Sequence, residues 1–233
     1  MPGPVKEKGF MRGVGRIFWA MLAKDLKREL RSREIFISGF LFSIILLMVV
    51  YLASAAERIE PQRLGAGALW LSILFSGTIG LNRIHQSETT EGCYRGLILA
   101  PVDGGWLYLA KVLTNVLLQG LSLILLLPLL GLFFQIPLGK NPLGLAASLG
   151  LGLVAFVAVG TLVVAITANT RMKDVLFPII QLPLVVPVLI AGVNSTSTAL
   201  IGETPGQWLQ FLTAMDVVFL CAGFLLYEFL LEE

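Results

Sequence analysis

Four side chains with hydrogen-bonding chemistry stand inside stretches that are otherwise apolar: Asn115, Gln119, Gln181 and Asp216. Polar groups are costly in hydrocarbon, so each must either bond a neighbouring helix or line a polar path between helices. Asn115 and Gln119 are four residues apart and share one face of a helix. Interhelical hydrogen bonds, worth about 0.6–2 kcal/mol each, account for the amides. An ionised Asp216 demands more, either water or a partner.

Catalytic chemistry finds little else to work with. The chain has one histidine, His85, and two cysteines, Cys93 and Cys221, with neither CxxC nor a zinc-ligand spacing. It has no intramembrane carboxylate pair and no recognisable nucleophile–base set, so no catalytic residue and no metal site is expected. A phosphate-cradling loop needs G-x-x-x-x-G-K-[ST]. The one Gly-Lys pair, Gly139-Lys140, is followed by Asn141 and lacks the preceding glycine. If ATP drives this chain, the ATPase is a separate chain.

The elements that position these residues are membrane spans. Of 233 residues 56% are hydrophobic and 14% charged, with mean hydropathy +0.85, whereas a soluble domain carries about a quarter charged residues. Such a chain cannot cover its apolar surface with polar groups in water, and a bilayer removes the need. Crossing about 30 Å of hydrocarbon takes roughly 20 helical residues. Six segments meet that length: 35–56, 64–82, 106–134, 141–170, 175–194 and 208–230. The first is too long for a signal-peptide core and is expected to stay as a span. The expected fold is therefore all-α and polytopic, with a cytoplasmic N-terminal region (1–34) and a six-helix membrane domain (35–233).

Charge sets the expected orientation. With the N-terminus inside, nine Lys and Arg precede the first span and Arg83, Arg95, Lys111, Arg171 and Lys173 join them, fourteen in all. Only Arg58, Arg63 and Lys140 fall outside. The basic end runs straight into an apolar stretch, so it is a topology signal, and no nucleic-acid partner is expected. Within it, residues 15–33 form an amphipathic pattern. Phe18, Leu22, Leu26 and Leu30 recur every four residues, opposite Lys24, Lys27, Arg28 and Arg31. A helix of that kind lies in the bilayer interface, as an anchor or as an elbow into the first span.

Three further patterns bear on motion and packing. Pro178, Pro183 and Pro187 recur in the fifth span, where each removes a backbone donor and tends to bend the helix. Gly144, Ser148 and Gly152 recur every four residues in the fourth span, which permits close packing within the bundle or at a dimer seam. Arg83 to Asp103 is the only long polar segment on the inner side, much longer than a turn requires. It reads either as a solvated loop or as a short helix that docks on a partner.

Leu81-x-Arg83, Glu91-Gly92, Leu97-x-Leu99-x-Pro101 and Tyr108-Leu-Ala-Lys111 follow one another there, after Arg31-Ser-Arg33-Glu34 and before Val175-Leu-Phe-Pro178 and the Glu228…Leu231-Glu232-Glu233 ending. In this order and spacing the chain resembles the CcmB family of cytochrome c maturation over nearly its whole length. The resemblance implies an ABC-2-type permease with an N-terminal amphipathic elbow helix. Its segment 83–103 would contact a separate nucleotide-binding subunit. By position, Arg83, Glu88, Glu91, Gly92, Tyr94 and Arg95 become candidates for ATPase coupling, and Gly92 permits a sharp local bend.

The implied partners are a CcmA-like ATPase, a CcmC-like heme-handling membrane protein, the lipid bilayer and a second copy of the chain. Heme is then a cargo, ATP belongs to the partner, and this chain holds no cofactor of its own. The implied location is the plasma membrane of a bacterium. His85 and Cys93 match no family position; imidazole serves as a heme ligand elsewhere, but an ordinary surface histidine accounts for His85. Two other readings use the same residues: an ABC-2-type exporter of lipid, polysaccharide or drug, and a non-transporting scaffold of a heme-attachment complex.

Overall fold

The structure, a computed structural model, describes residues 19, 22, 23, 34–54, 60–90, 104–168, 170 and 172–232. For residues 34–36, 82–90, 173, 174, 231 and 232 it describes the backbone alone. Six long helices carry the fold: α1 (Glu34–Ser54), α2 (Pro61–Thr90), α3 (Gly104–Phe134), α4 (Pro142–Thr167), α5 (Lys173–Ile201) and α6 (Gly206–Glu232). Each contains a window long and apolar enough to cross a membrane, and there is no strand among the described residues. The chain is an all-α, multi-pass membrane protein. Of the amphipathic stretch 15–33 only Trp19, Leu22 and Ala23 are described; all three are helical, with Leu22 buried and Trp19 and Ala23 exposed. The rest of that expectation lies outside the described residues.

α4 is the axis of the bundle. It packs against α2, α3, α5 and α6, and 72% of its span is buried against 11% for α1 and 17% for α6. Its sequence explains the place: Gly, Ala, Val and Leu fill it and no charge interrupts it, so neighbours approach from every side. α1 packs on α2 and α3 at the edge and offers the rest of its apolar surface to lipid.

Local chemistry ends the helices. The Asn141 side-chain oxygen accepts from the Gly144 N–H at 2.9 Å and caps α4, with Pro142 in the first turn where its missing N–H does no harm. The same side chain donates from Nδ2 to the Glu203 carbonyl at 2.8 Å, tying the α3–α4 turn to the α5–α6 turn. Gly202 stops α5 with φ +105°, a conformation open to glycine.

Two helices run past the ends that hydrophobicity suggests. α2 continues from Asn82 to Thr90, so Arg83 and His85 belong to a helix and not to a loop. Residues 83–90 contain no Gly or Pro, and leaving hydrocarbon does not by itself break a helix. α5 continues from Asn194 to Ile201 through Ser and Thr, where Ser195 bonds Ser148, Thr196 accepts from Trp70 and Thr198 donates to the Asn194 carbonyl. Pro178, Pro183 and Pro187 all lie inside this one helix.

Candidate functional site

The segment between α2 and α3 is held at both of its roots. At its start, Leu81 is buried where α2 meets α4 and α5: a Cβ on Gly160 would collide with a Leu81 methyl and come within 3.2 Å of the Gln181 amide nitrogen. At its end, Gly104 lies directly on the α6 backbone, so a Cβ there would stand 2.7 Å from the Glu228 Cα. Gly105 lies under the Phe224 ring, and Trp106 meets that ring edge-on at 6.0 Å. Bare glycine backbone is what lets α3 start this close to α6. Among the candidates, Arg83 and Glu88 lie on the last two turns of α2. Glu91, Gly92, Tyr94 and Arg95 lie outside the described residues.

One turn beyond Gly104 stands Tyr108, fully buried against Gly223 of α6. Its hydroxyl is 3.0 Å from the Ala158 carbonyl of α4 and 3.2 Å from the Phe219 carbonyl of α6, sharing one proton between two helices. Trp70 plays the matching part elsewhere. Its indole sits against the backbone of Gly152 on α4 and Gly192 on α5, and its Nε1–H donates to Thr196 Oγ1 at 3.0 Å. Nearby, the hydroxyls of Ser148 and Ser195 bond one another. The Gly/Ser repeat of α4 thus packs inside the bundle, with Ser148 on α5 and Gly152 under Trp70.

The four intramembrane polar residues make no hydrogen bond to one another. Asn115 is 6% exposed and donates from Nδ2 to the Lys111 carbonyl at 2.9 Å. Gln119, one turn along, points its Oε1 toward Gly77 of α2 beside the Phe156 ring, buried and without a hydrogen bond. Asp216 is 6% exposed, and its Oδ1 has no partner. Gln181 is 1% exposed at the α2–α4–α5 junction, and neither atom of its amide is bonded. Thr161 is a fourth residue with a buried, unpartnered group, its Oγ1, which sequence reasoning missed because a helical threonine ordinarily bonds its own backbone. No group of His, Cys, Asp and Glu that could hold a metal ion occurs among the described residues. Cys221 is a free thiol on the exposed face of α6.

The family model described as CcmB protein matches residues 16–226, nearly the whole chain. The chain belongs to the CcmB family. Relatives of the CcmB chain include heme exporter protein B of Pseudomonas aeruginosa, 29% identical over 87% of this chain and 92% of that one. Heme exporter protein B of Rhodobacter capsulatus is 30% identical over 85% and 92%, and that of Paracoccus denitrificans 31% over 85% and 90%. The CcmB match takes in α1 to α5 whole, most of α6, the segment 83–103 and every candidate residue.

Proposed function

We propose that this chain is the membrane permease of a heme-export machine for cytochrome c maturation, driven by an ATPase on a separate chain. The observation that carries this reading is the CcmB family match along residues 16–226, with relatives named heme exporter protein B. The six apolar helices and the lack of a phosphate-binding loop in the sequence agree with it.

In this reading both termini are cytoplasmic, the membrane is the bacterial plasma membrane, and the segment 83–103 meets a CcmA-like ATPase. Arg83, Glu88, Glu91, Tyr94 and Arg95 supply charge and one aromatic ring for docking, and Gly92 supplies the bend. Closure of two ATPase subunits pushes on that segment. The push reaches α4 and α5 through the Leu81–Gly160–Gln181 junction and α6 through the Gly104–Glu228 contact. Asn115, Gln119, Gln181 and Asp216 line the seams between the helices that move. A CcmC-like membrane protein receives the effect, heme is the cargo, and a second copy of the chain completes the permease.

The test is affinity purification of the tagged chain in mild detergent, identifying what accompanies it. Recovery of an ATPase and a heme-handling membrane protein is expected. An ATPase with a different cargo would replace heme by another substrate. Recovery of neither, from a folded preparation, would overturn the transporter reading.

A further inference from the structure

Three contacts fix how α3 runs against α6: Gly104 on Glu228, Gly105 on Phe224 and Tyr108 on Gly223. The numbers rise on one helix as they fall on the other, so the pair is antiparallel. Asn115 lies seven residues beyond Tyr108, and Asp216 seven before Gly223. Seven residues return a helix to within ~20° of the same face and carry it about 10 Å along its axis. By this register Asn115 stands at the level of Asp216 along the α3–α6 seam, and both are buried. Each is roughly 15 Å from the nearer start of its helix, near the middle of a ~30 Å hydrocarbon layer.

The polar groups at this level do not satisfy one another. Asp216 Oδ1 is buried with no donor, and Gln119 Oε1, one turn farther along α3, is in the same condition. Asn115 has one amide N–H committed to the Lys111 carbonyl. Buried acceptors without donors are rare in folded proteins, and the usual remedy is an ordered water. What is missing is a donor, so the guest must bring hydrogens. A carboxylate-bearing molecule such as heme brings more acceptors and is disfavoured beside Asp216 Oδ1.

We propose that the α3–α6 seam at Asn115 and Asp216 binds water at the middle of the membrane, with Asp216 Oδ1 as its acceptor. The site needs neither heme nor ATPase, and it stands or falls apart from the proposed function.

The test uses the full-length chain in lipid nanodiscs, with Cys93 and Cys221 changed to serine. Asp216→Cys and Asn115→Cys are exposed to a small water-borne methanethiosulfonate, which reacts with the thiolate that only water supports. Val217→Cys, on the exposed neighbouring position, is the lipid-facing control. Labelling at the two seam positions at least about tenfold faster than at Val217→Cys is expected; labelling no faster would overturn the proposal by showing a dry seam. Should the seam cysteines not fold, the wild-type chain answers by infrared spectroscopy, with Asp216→Asn used to assign the carboxyl band. A carboxylate band, or a protonated carboxyl band that shifts within minutes of transfer to D2O, is expected; a protonated carboxyl band unshifted over hours would overturn the proposal. Thermal stability in ammonium chloride against choline chloride separates the remaining guest. Equal Tm values are expected, and a higher Tm in ammonium would overturn water in favour of a cation.

Discussion

The two ends of this bundle are built differently. Toward the α3–α4 and α5–α6 turns, polar groups are matched: Trp70 with Thr196, Ser148 with Ser195, and Asn141 with both Gly144 and Glu203. Toward the segment 83–103, Gln181 and Thr161 are buried with nothing to bond, and Asp216 and Gln119 between the ends share that condition. A matched polar cluster specifies one packing, while an unmatched one leaves a second arrangement within reach. The lesson for the proposed mechanism is that the matched end would serve as the frame and the end nearer the segment 83–103 as the part that changes.

The most severe way to break this comparison is to fill the fixed end. Gly152→Leu puts a side chain where the Trp70 ring lies and should cost about 3 kcal/mol or more, or abolish folding, as overpacking does. Denaturation in detergent measures it, and a stable variant would show that the clamp is not a clamp. Trp70→Phe keeps an aromatic side chain but a smaller one, and loses the bond to Thr196. A loss of about 1–3 kcal/mol is expected from the hydroxyl left without its donor and the space left empty.

Gln181→Leu should do the reverse. Removing an unmatched buried amide is expected to leave stability unchanged or raise it by about 1 kcal/mol, while ATPase stimulation in the assembled complex falls. A destabilised variant that keeps full stimulation would erase the distinction between the two ends. Tyr108→Phe removes one shared hydroxyl proton and should cost about 1 kcal/mol by thermal unfolding. The smallest effect belongs to Cys221→Ser on the exposed face of α6, expected within about 0.5 kcal/mol of the parent.

Much of this fold is legible in the sequence because one physical term dominates it. Long apolar runs with few or no charges define six spans, and all six are present. Their ends are less legible. Hydropathy marks where hydrocarbon stops and says nothing of where a helix stops, so residues 83–90 and 195–201 read as outside helices that contain them. The Gly144/Ser148/Gly152 repeat announces close packing, but only the three-dimensional contact reveals Trp70 as what packs there. Asn115 and Asp216 are visible as costly groups in sequence; the proposal that they share a seam rests on the Tyr108–Gly223 contact, which hydropathy does not encode. The coupling candidates rest on the CcmB resemblance together with the roots that hold segment 83–103.

The most direct measurement is ATP hydrolysis by the partner ATPase in proteoliposomes, with the wild-type chain and with a Glu91→Ala/Arg95→Ala double variant. Stimulation by the wild type, lost in the variant while the six-helix bundle keeps its thermal stability, is the predicted result. Equal stimulation by both would contradict the assignment of segment 83–103 as the place where ATP hydrolysis is felt.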